Sequence, residues 1–373
     1  MIGKKTIILS IILLLFLFLI FNFSTNLMSS PKYSEDAGLT YGKLSELIID
    51  DPIQSRSEYY FISITGDKYS LSEENYFSLY SQADKNGFIY IDTSSLKTDN
   101  KVIELDSNKD GSIQLAPRVY FKSLSNTGEQ KVIVILIAEQ NQTNQTAPTP
   151  LPISAYNSLI SKEFNNYIKE NSFNQTWLTV NISGWIPSNL TYLCPGGEDP
   201  ISVADPYINY SQYNIIILIS PCMGISRATA YLNPTIINTS EGLIYTRLAN
   251  FPLNFSYLQS TTIFAHEIGH TFGLRHANAY QNCNPPFHIG GSGNCQNLNG
   301  GDPFDSMGTG VTHSLNSSPH YSARHKSEIQ WINRPIFVNS TVSNISFIIK
   351  PVESSIYNSL YIYPYENPFP FPI

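Results

Sequence analysis

The eleven residues from His266 to His276 constrain this chain more than any others: His-Glu-Ile-Gly-His-Thr-Phe-Gly-Leu-Arg-His. His266 and His270 are four apart, so on an α-helix their imidazoles share one face. Two neutral imidazoles one turn apart can bind one divalent ion, and nitrogen ligands suit zinc. Glu267 follows the first histidine and is placed to take a proton from a water held by that ion. Gly273 can adopt positive φ, ending the helix and folding the chain back so that His276 arrives as a third nitrogen ligand. Three protein ligands leave a fourth position open, the arrangement of a catalytic site. The five fixed positions would arise by chance in about one chain in ten thousand of this length. Phe264, Ile268 and Phe272 fall opposite the histidines on the helical wheel, so one face carries metal and the other carries core.

The pattern HExxHxxGxxH resembles the zinc signature of the metzincin metalloproteases. Downstream, Gly301-Asp302-Pro303-Phe304-Asp305-Ser306-Met307-Gly308 is similar to the Met-turn of that group. The pairing of HEIGHTFGLRHA with GDPFDSMG, followed by HYSARHK at 320–326, looks most like the gametolysin-type peptidases. The resemblance implies an α+β zinc peptidase domain, with a twisted mixed sheet, an active-site helix and a Met-turn in a C-terminal subdomain. It implies zinc on His266, His270 and His276, Glu267 as general base, and Met307 as an apolar floor beneath the histidines. It also implies an edge strand that pairs with the substrate backbone, for which Ala228, Thr229, Ala230 and Tyr231 are the candidates. Some metzincins place a tyrosine two residues after the methionine; here that position is Thr309, and Tyr321 is only a distant substitute.

The 373 residues carry 42% apolar residues, enough for a real core, but only 14% charged ones. Net charge is −7 with no basic stripe, which argues against nucleic acid as a partner. Residues 6–23 are an almost unbroken apolar run preceded by Lys4 and Lys5, so 1–30 reads as a signal anchor or a cleaved signal peptide. Either reading puts the rest outside the cytoplasm, anchored at the cell surface or secreted. Eleven N-x-S/T sequons between Asn141 and Asn344 agree with export. So do four cysteines, Cys194, Cys222, Cys283 and Cys295, an even count that suggests two disulfides. Pairing of neighbours is the expectation, with Cys283–Cys295 pinning the loop before the Met-turn.

Along the chain, 31–57 reads as a linker or short helix, and 58–125 as short β-like runs separated by turns. Together 31–127 form a β-rich N-terminal domain where metalloproteases often carry a propeptide. It contains no cysteine, so it cannot donate a thiolate to the metal. Inhibition by other means and a plain spacer role both remain open. Asp106 to Ile113 reads as a hairpin turn and not a calcium loop, because the twelfth position is Pro117. The catalytic domain is expected over 128–340: a buried strand at Val132–Ile137, a helix over 154–171, strands near 176–182, 214–219, 228–232 and 243–247, and then the metal helix. Residues 278–301 read as a long functional or disulfide-pinned loop. Residues 341–373 read as a β-strand tail with a Pro-rich end. His288, His313, His320 and His325 are surplus to a three-histidine site.

The expected activity is extracytoplasmic cleavage of protein or peptide substrates by a zinc-activated water. Two other readings use the same residues: a catalytically silent, metal-stabilised surface binding or adhesion protein, and a zinc amidase acting on cell-wall peptides.

Overall fold

The computed structural model describes residues 39–50, 55–84, 86–92, 102–103, 124–138, 152–190, 199–221, 228–253, 261–284, 294–308, 319–332, 336–339 and 360–363. The described residues from 40 onward belong to one compact unit. The apolar run 6–23, the Asp106–Ile113 turn, Thr309 and the Pro-rich end lie outside the described residues, as does part of the β-like stretch 58–125. Among the described residues no helix is long and apolar enough to cross a membrane.

The scaffold is an α+β layer built on β6 (Gly128–Ile137), β7 (Thr176–Ile186), β8 (Ile215–Ser220) and β11 (Gly242–Pro252). These strands lie side by side in the order β7-β6-β8-β11, and all run parallel. Parallel central strands are covered on both faces, which is why β6 and β8 read as continuous Ile/Val/Leu runs. Their side chains divide with the period of two. Val132, Val134, Leu136, Ile215, Ile217 and Ile219 pack on one side with Phe164, Ile168, Phe264 and Ile268. Ile133, Ile135, Ile137, Ile216 and Leu218 pack on the other with Ile201, Ala204 and Tyr210.

The first face is covered by two helices. One, α2, comprises Ile153–Tyr156, a π-helical Asn157–Phe164 and Asn165–Asn171 in continuous succession. It presents Tyr156, Leu159, Ile160, Phe164 and Ile168 to the sheet. The sequence periodicity identifies this helix but carries no sign of its wider turns. Three further features add to the expected pattern: a helix α1 at Glu73–Tyr80, a helix α3 at Pro200–Ala204 and a strand β10 at Thr235–Thr239 that pairs antiparallel with β11. The expected loop at 278–301 contains a two-stranded ribbon, β12 (Ala279–Asn284) and β13 (Asn294–Leu298). In the tail, β14 (Ile336–Asn339) pairs parallel with β15 (Leu360–Tyr363).

The largest departure from the sequence reading is at 39–50. The expected linker or short helix is a twelve-residue strand, β1 (Leu39–Asp50), in the interior of the sheet. On one side it pairs antiparallel with β2 (Arg56–Ser63), which continues to β3 (Lys68–Leu71) and β5 (Val102–Ile103). A further strand, β4 (Phe88–Asp92), also pairs with β1. On the other side β1 pairs antiparallel with β9 (Ala228–Leu232), which is antiparallel to β11. The N-terminal β-rich segment and the strands after residue 128 therefore share one sheet, and β9 is not a free edge.

The misreading has a physical cause. Lys43, Ser45 and Glu46 look like solvent-facing residues but are all buried. Lys43 donates to the Asn86 carbonyl, and its ammonium lies 5.4 Å from the centre of the Phe88 ring. Ser45 Oγ meets Thr235 Oγ1 at 3.2 Å. Burial lowers the Lys43 pKa from 10.5 to about 8, with Asp84 pulling the other way. Between those values the unfolded chain binds the additional proton, so stability is lost as pH falls toward 8 and regained as it rises. Urea unfolding should show a gain of about 1.5 kcal/mol between pH 8 and pH 9.5, absent in Lys43→Met.

Candidate metal centre

The motif helix is α4, Thr261–Thr271. Phe264, Ala265 and Ile268 face the core, which fixes the opposite face, with His266 and His270, toward the cleft. The helix stops as the sequence predicts. Gly273 has φ +105°, its N–H donates to the His270 carbonyl at 2.8 Å, and the Leu274 N–H donates to the Gly269 carbonyl at 3.0 Å. A Cβ at Gly273 would also lie 2.6 Å from Asn233 Oδ1, so glycine is required by both conformation and space. The reversal brings His276 beside the other two imidazoles, with ring centres 4.8, 4.9 and 5.2 Å apart.

Backbone carbonyls orient two of the rings. His266 Nδ1 lies 2.8 Å from the Ser306 carbonyl, and His270 Nδ1 lies 2.7 Å from the Leu274 carbonyl. A carbonyl only accepts, so Nδ1 carries the proton in both rings and Nε2 presents a lone pair. Burial lowers the His270 pKa to about 4, which keeps that ring neutral at ordinary pH.

The lone pairs meet a residue that the motif does not contain. Asp50, the last residue of β1, places Oδ2 3.2 Å from His266 Nε2 and 3.3 Å from His270 Nε2. Its Oδ1 lies 3.1 Å from His276 Nε2. Four residues thus bring one ligand atom each within 4.8 Å of one another. Nitrogens and a carboxylate this close need a cation between them, either a proton, which burial disfavours on His266 but Asp50 helps it to hold, or a metal ion. The spacing suits one: ligands about 2.0–2.1 Å from a tetrahedral zinc stand about 3.3 Å apart. His276 Nε2 has no hydrogen-bond partner among the described residues despite its nearness to Asp50, as expected of an atom aimed at an ion. The donor set, three imidazoles and a carboxylate, fits zinc.

Glu267 is buried, and its Oε2 has no hydrogen-bond partner among the described residues. Burial, and then the charge of Asp50, push its carboxyl well above the usual carboxylate range. Burial also works against ionisation of Asp50, but the facing histidines outweigh it and hold that carboxyl well below its usual value. A cleft of about 250 Å³ opens beside His276, lined by Ile48, Ser55, Arg56, Ser57, Arg275, Asn278 and Asn299.

Met307 is fully buried, in the turn beneath α4. A Cβ at Gly269 would lie 2.3 Å from Met307 Sδ and 3.1 Å from Tyr321 Cε1. The turn is braced by Asp305, whose Oδ1 accepts from the Met307 N–H at 2.8 Å and whose Oδ2 accepts from the Ser322 N–H at 2.9 Å. His325 Nδ1 lies 2.7 Å from Asp305 Oδ2. The Ala277 N–H donates to the Met307 carbonyl at 2.9 Å, tying the turn to the segment just past His276. Tyr321 donates its hydroxyl to the Ala265 carbonyl at 2.5 Å, so it braces the helix and does not face the metal centre.

The other sequence candidates fall as follows. Ala228, Thr229, Ala230 and Tyr231 lie on β9, with β1 along their outer side. His320 Nε2 lies 3.3 Å from Glu170 Oε1, away from the cluster. His288, His313, Cys194 and Cys222 lie outside the described residues. Cys283 and Cys295 fall on the paired strands β12 and β13, and no disulfide is seen among the described residues. Asp50 was missed by sequence reasoning. It lies 220 residues before His270, and nothing in its own neighbourhood marks a ligand.

No protein-family profile matches the sequence, and no curated protein does. Among solved structures, archaemetzincin from Methanopyrus kandleri is similar at 15% identity and a TM-score of 0.26, covering 58% of this chain and 97% of that one. A likeness that slight carries no argument, and the reading of the site rests on its own geometry.

The contact between Gly269 and Met307 has a testable sign. Glycine to alanine inside a helix ordinarily stabilises by about 1 kcal/mol. Here the added methyl meets a buried thioether, so Gly269→Ala should instead destabilise by about 1–3 kcal/mol in urea melts.

Proposed function

We propose that this chain is a zinc-dependent endopeptidase acting outside the cytoplasm. The observation that carries the reading is the convergence of three histidine Nε2 atoms, the first from the residue next in sequence to the buried Glu267, whose Oε2 has no partner among the described residues. Zinc, when bound, supplies a Lewis acid that makes water acidic near neutral pH and polarises a carbonyl. His266, His270 and His276 would hold it. Glu267 takes the proton of the attacking water and delivers it to the leaving amine. A carboxyl whose pKa is raised by burial holds that proton more readily than an exposed one would. A peptide would lie along β9 in the place β1 takes here, where Ala228 to Tyr231 offer backbone pairing and the flanking side chains set preference. Met307 keeps the underside of α4 dry and closely packed.

The finer reading, a gametolysin-type peptidase, is supported by HEIGHTFGLRHA and GDPFDSMG together. Export is supported by the apolar run 6–23 and by the eleven sequons. The backbone pairing of β12 with β13 supports a Cys283–Cys295 bridge that would pin this ribbon beside the site.

The test is zinc content and casein cleavage across variants. Glu267→Gln should keep about one equivalent of zinc while cleavage falls by about 100- to 10,000-fold. His270→Ala should lose both the zinc and the cleavage. Near wild-type turnover by Glu267→Gln would remove the glutamate from the reaction.

A further inference from the structure

We propose that β1 lies in the substrate cleft of its own chain and that Asp50 supplies the fourth ligand of the metal centre, holding the enzyme latent. The cleft and the metal rest on the peptidase reading; the position of Asp50 does not.

Three independent observations converge. The first is the ladder. Glu46, Leu47, Ile48, Ile49 and Asp50 pair antiparallel with Leu232, Tyr231, Ala230, Thr229 and Ala228. This is strand addition to the cleft strand, the mode by which a peptide would bind. The second is the end of that ladder. Its last residue puts both carboxylate oxygens on the three histidine nitrogens, in the position that a catalytic site leaves for water. Glu267, next to the first ligand, keeps its Oε2 buried and without a partner among the described residues while Asp50 holds the place of the water it would act on. A strand that binds like substrate but ends in a ligand occupies the site without presenting a bond to cut.

The third observation is a grip placed at the ligands. Glu46 is fully buried and accepts from Arg275 through both oxygens, at 2.9 Å and 2.6 Å. Arg275 immediately precedes His276, so this fork ties the occupying strand to the residue next to the third ligand. Bidentate charge-assisted pairs are among the stronger hydrogen bonds. Ser57 Oγ donates to Glu46 Oε1 at 2.8 Å and fills a further acceptor site. Elsewhere Lys68 Nζ donates to the Tyr231 hydroxyl at 3.1 Å, so β3 also holds the cleft strand. The absence of a cysteine in this segment is therefore no obstacle to latency, because a carboxylate takes the place a thiolate would fill.

The experiment uses the full chain carrying Co²⁺ in place of zinc, titrated with azide and followed by visible absorption. Wild type, Asp50→Ala and the near-isosteric Asp50→Asn are compared, with casein cleavage measured on the zinc-loaded proteins. The expected result is that both variants keep the metal. Asp50→Ala should respond to azide at concentrations about ten-fold lower than wild type or less, as an opened ligand position requires, and its casein cleavage should rise. Loss of the metal from both variants would overturn the proposal, because Asp50 would then be a permanent ligand of the working centre. An azide response unchanged from wild type, with metal retained, would overturn it too, by removing Asp50 from the coordination sphere. Azide access without any cleavage would uphold Asp50 as the fourth ligand and overturn the peptidase reading, and latency with it. If Asp50→Ala does not fold, the azide response of Asp50→Asn decides.

Discussion

Three imidazole nitrogens converging on one point form an unfavourable arrangement without a cation, and much of this fold serves to hold it. Each ring must be kept in one tautomer and one orientation before an ion arrives. The carbonyls of Ser306 and Leu274 do this for His266 and His270, and both come from turns, where carbonyls are free of sheet or helix pairing. Those turns are in turn fixed by Gly273 at positive φ and by the Asp305 network. The parallel sheet contributes the flat apolar surface against which Phe264 and Ile268 set the rotation of α4. A change in any of these layers moves the nitrogens apart.

The parts of the site legible in the sequence are those whose geometry is local. Histidines four apart on a helix, the glycine that ends it and the third histidine beyond depend on neighbours within eleven residues. The apolar part of β6, Val132 to Ile137, and β8 were legible because both faces are buried along their length. Met307 lies in a buried turn beneath α4, and its closeness to Gly269 is one that spacing alone does not reveal.

What was illegible is long-range. In β1, Glu46 is neutralised by a residue 229 positions away, and Asp50 approaches histidines more than 200 positions away. Read alone, those charges signal solvent. Their burial is offset by partners that only the folded sheet brings near, and the chain pattern therefore suggests a linker where the structure has an interior strand. The same holds for the π-helical turns in α2, which alter hydrogen bonding without altering the apolar period enough to show.

The position of β1 between β9 and β2 also means that the two halves of the sheet meet through a single strand. Separating them would create two raw edges, each a row of unpaired amides and carbonyls open to any extended chain. On the β9 side the exposed length is small, since the strand has only five residues, and short edges are one way natural sheets limit accidental pairing. On the β1 side the newly opened stretch is equally short, Glu46 to Asp50, because the ladder pairs the two strands residue for residue. The seam between the halves is thus a short one, and parting it would leave neither side with a long template for stray strands.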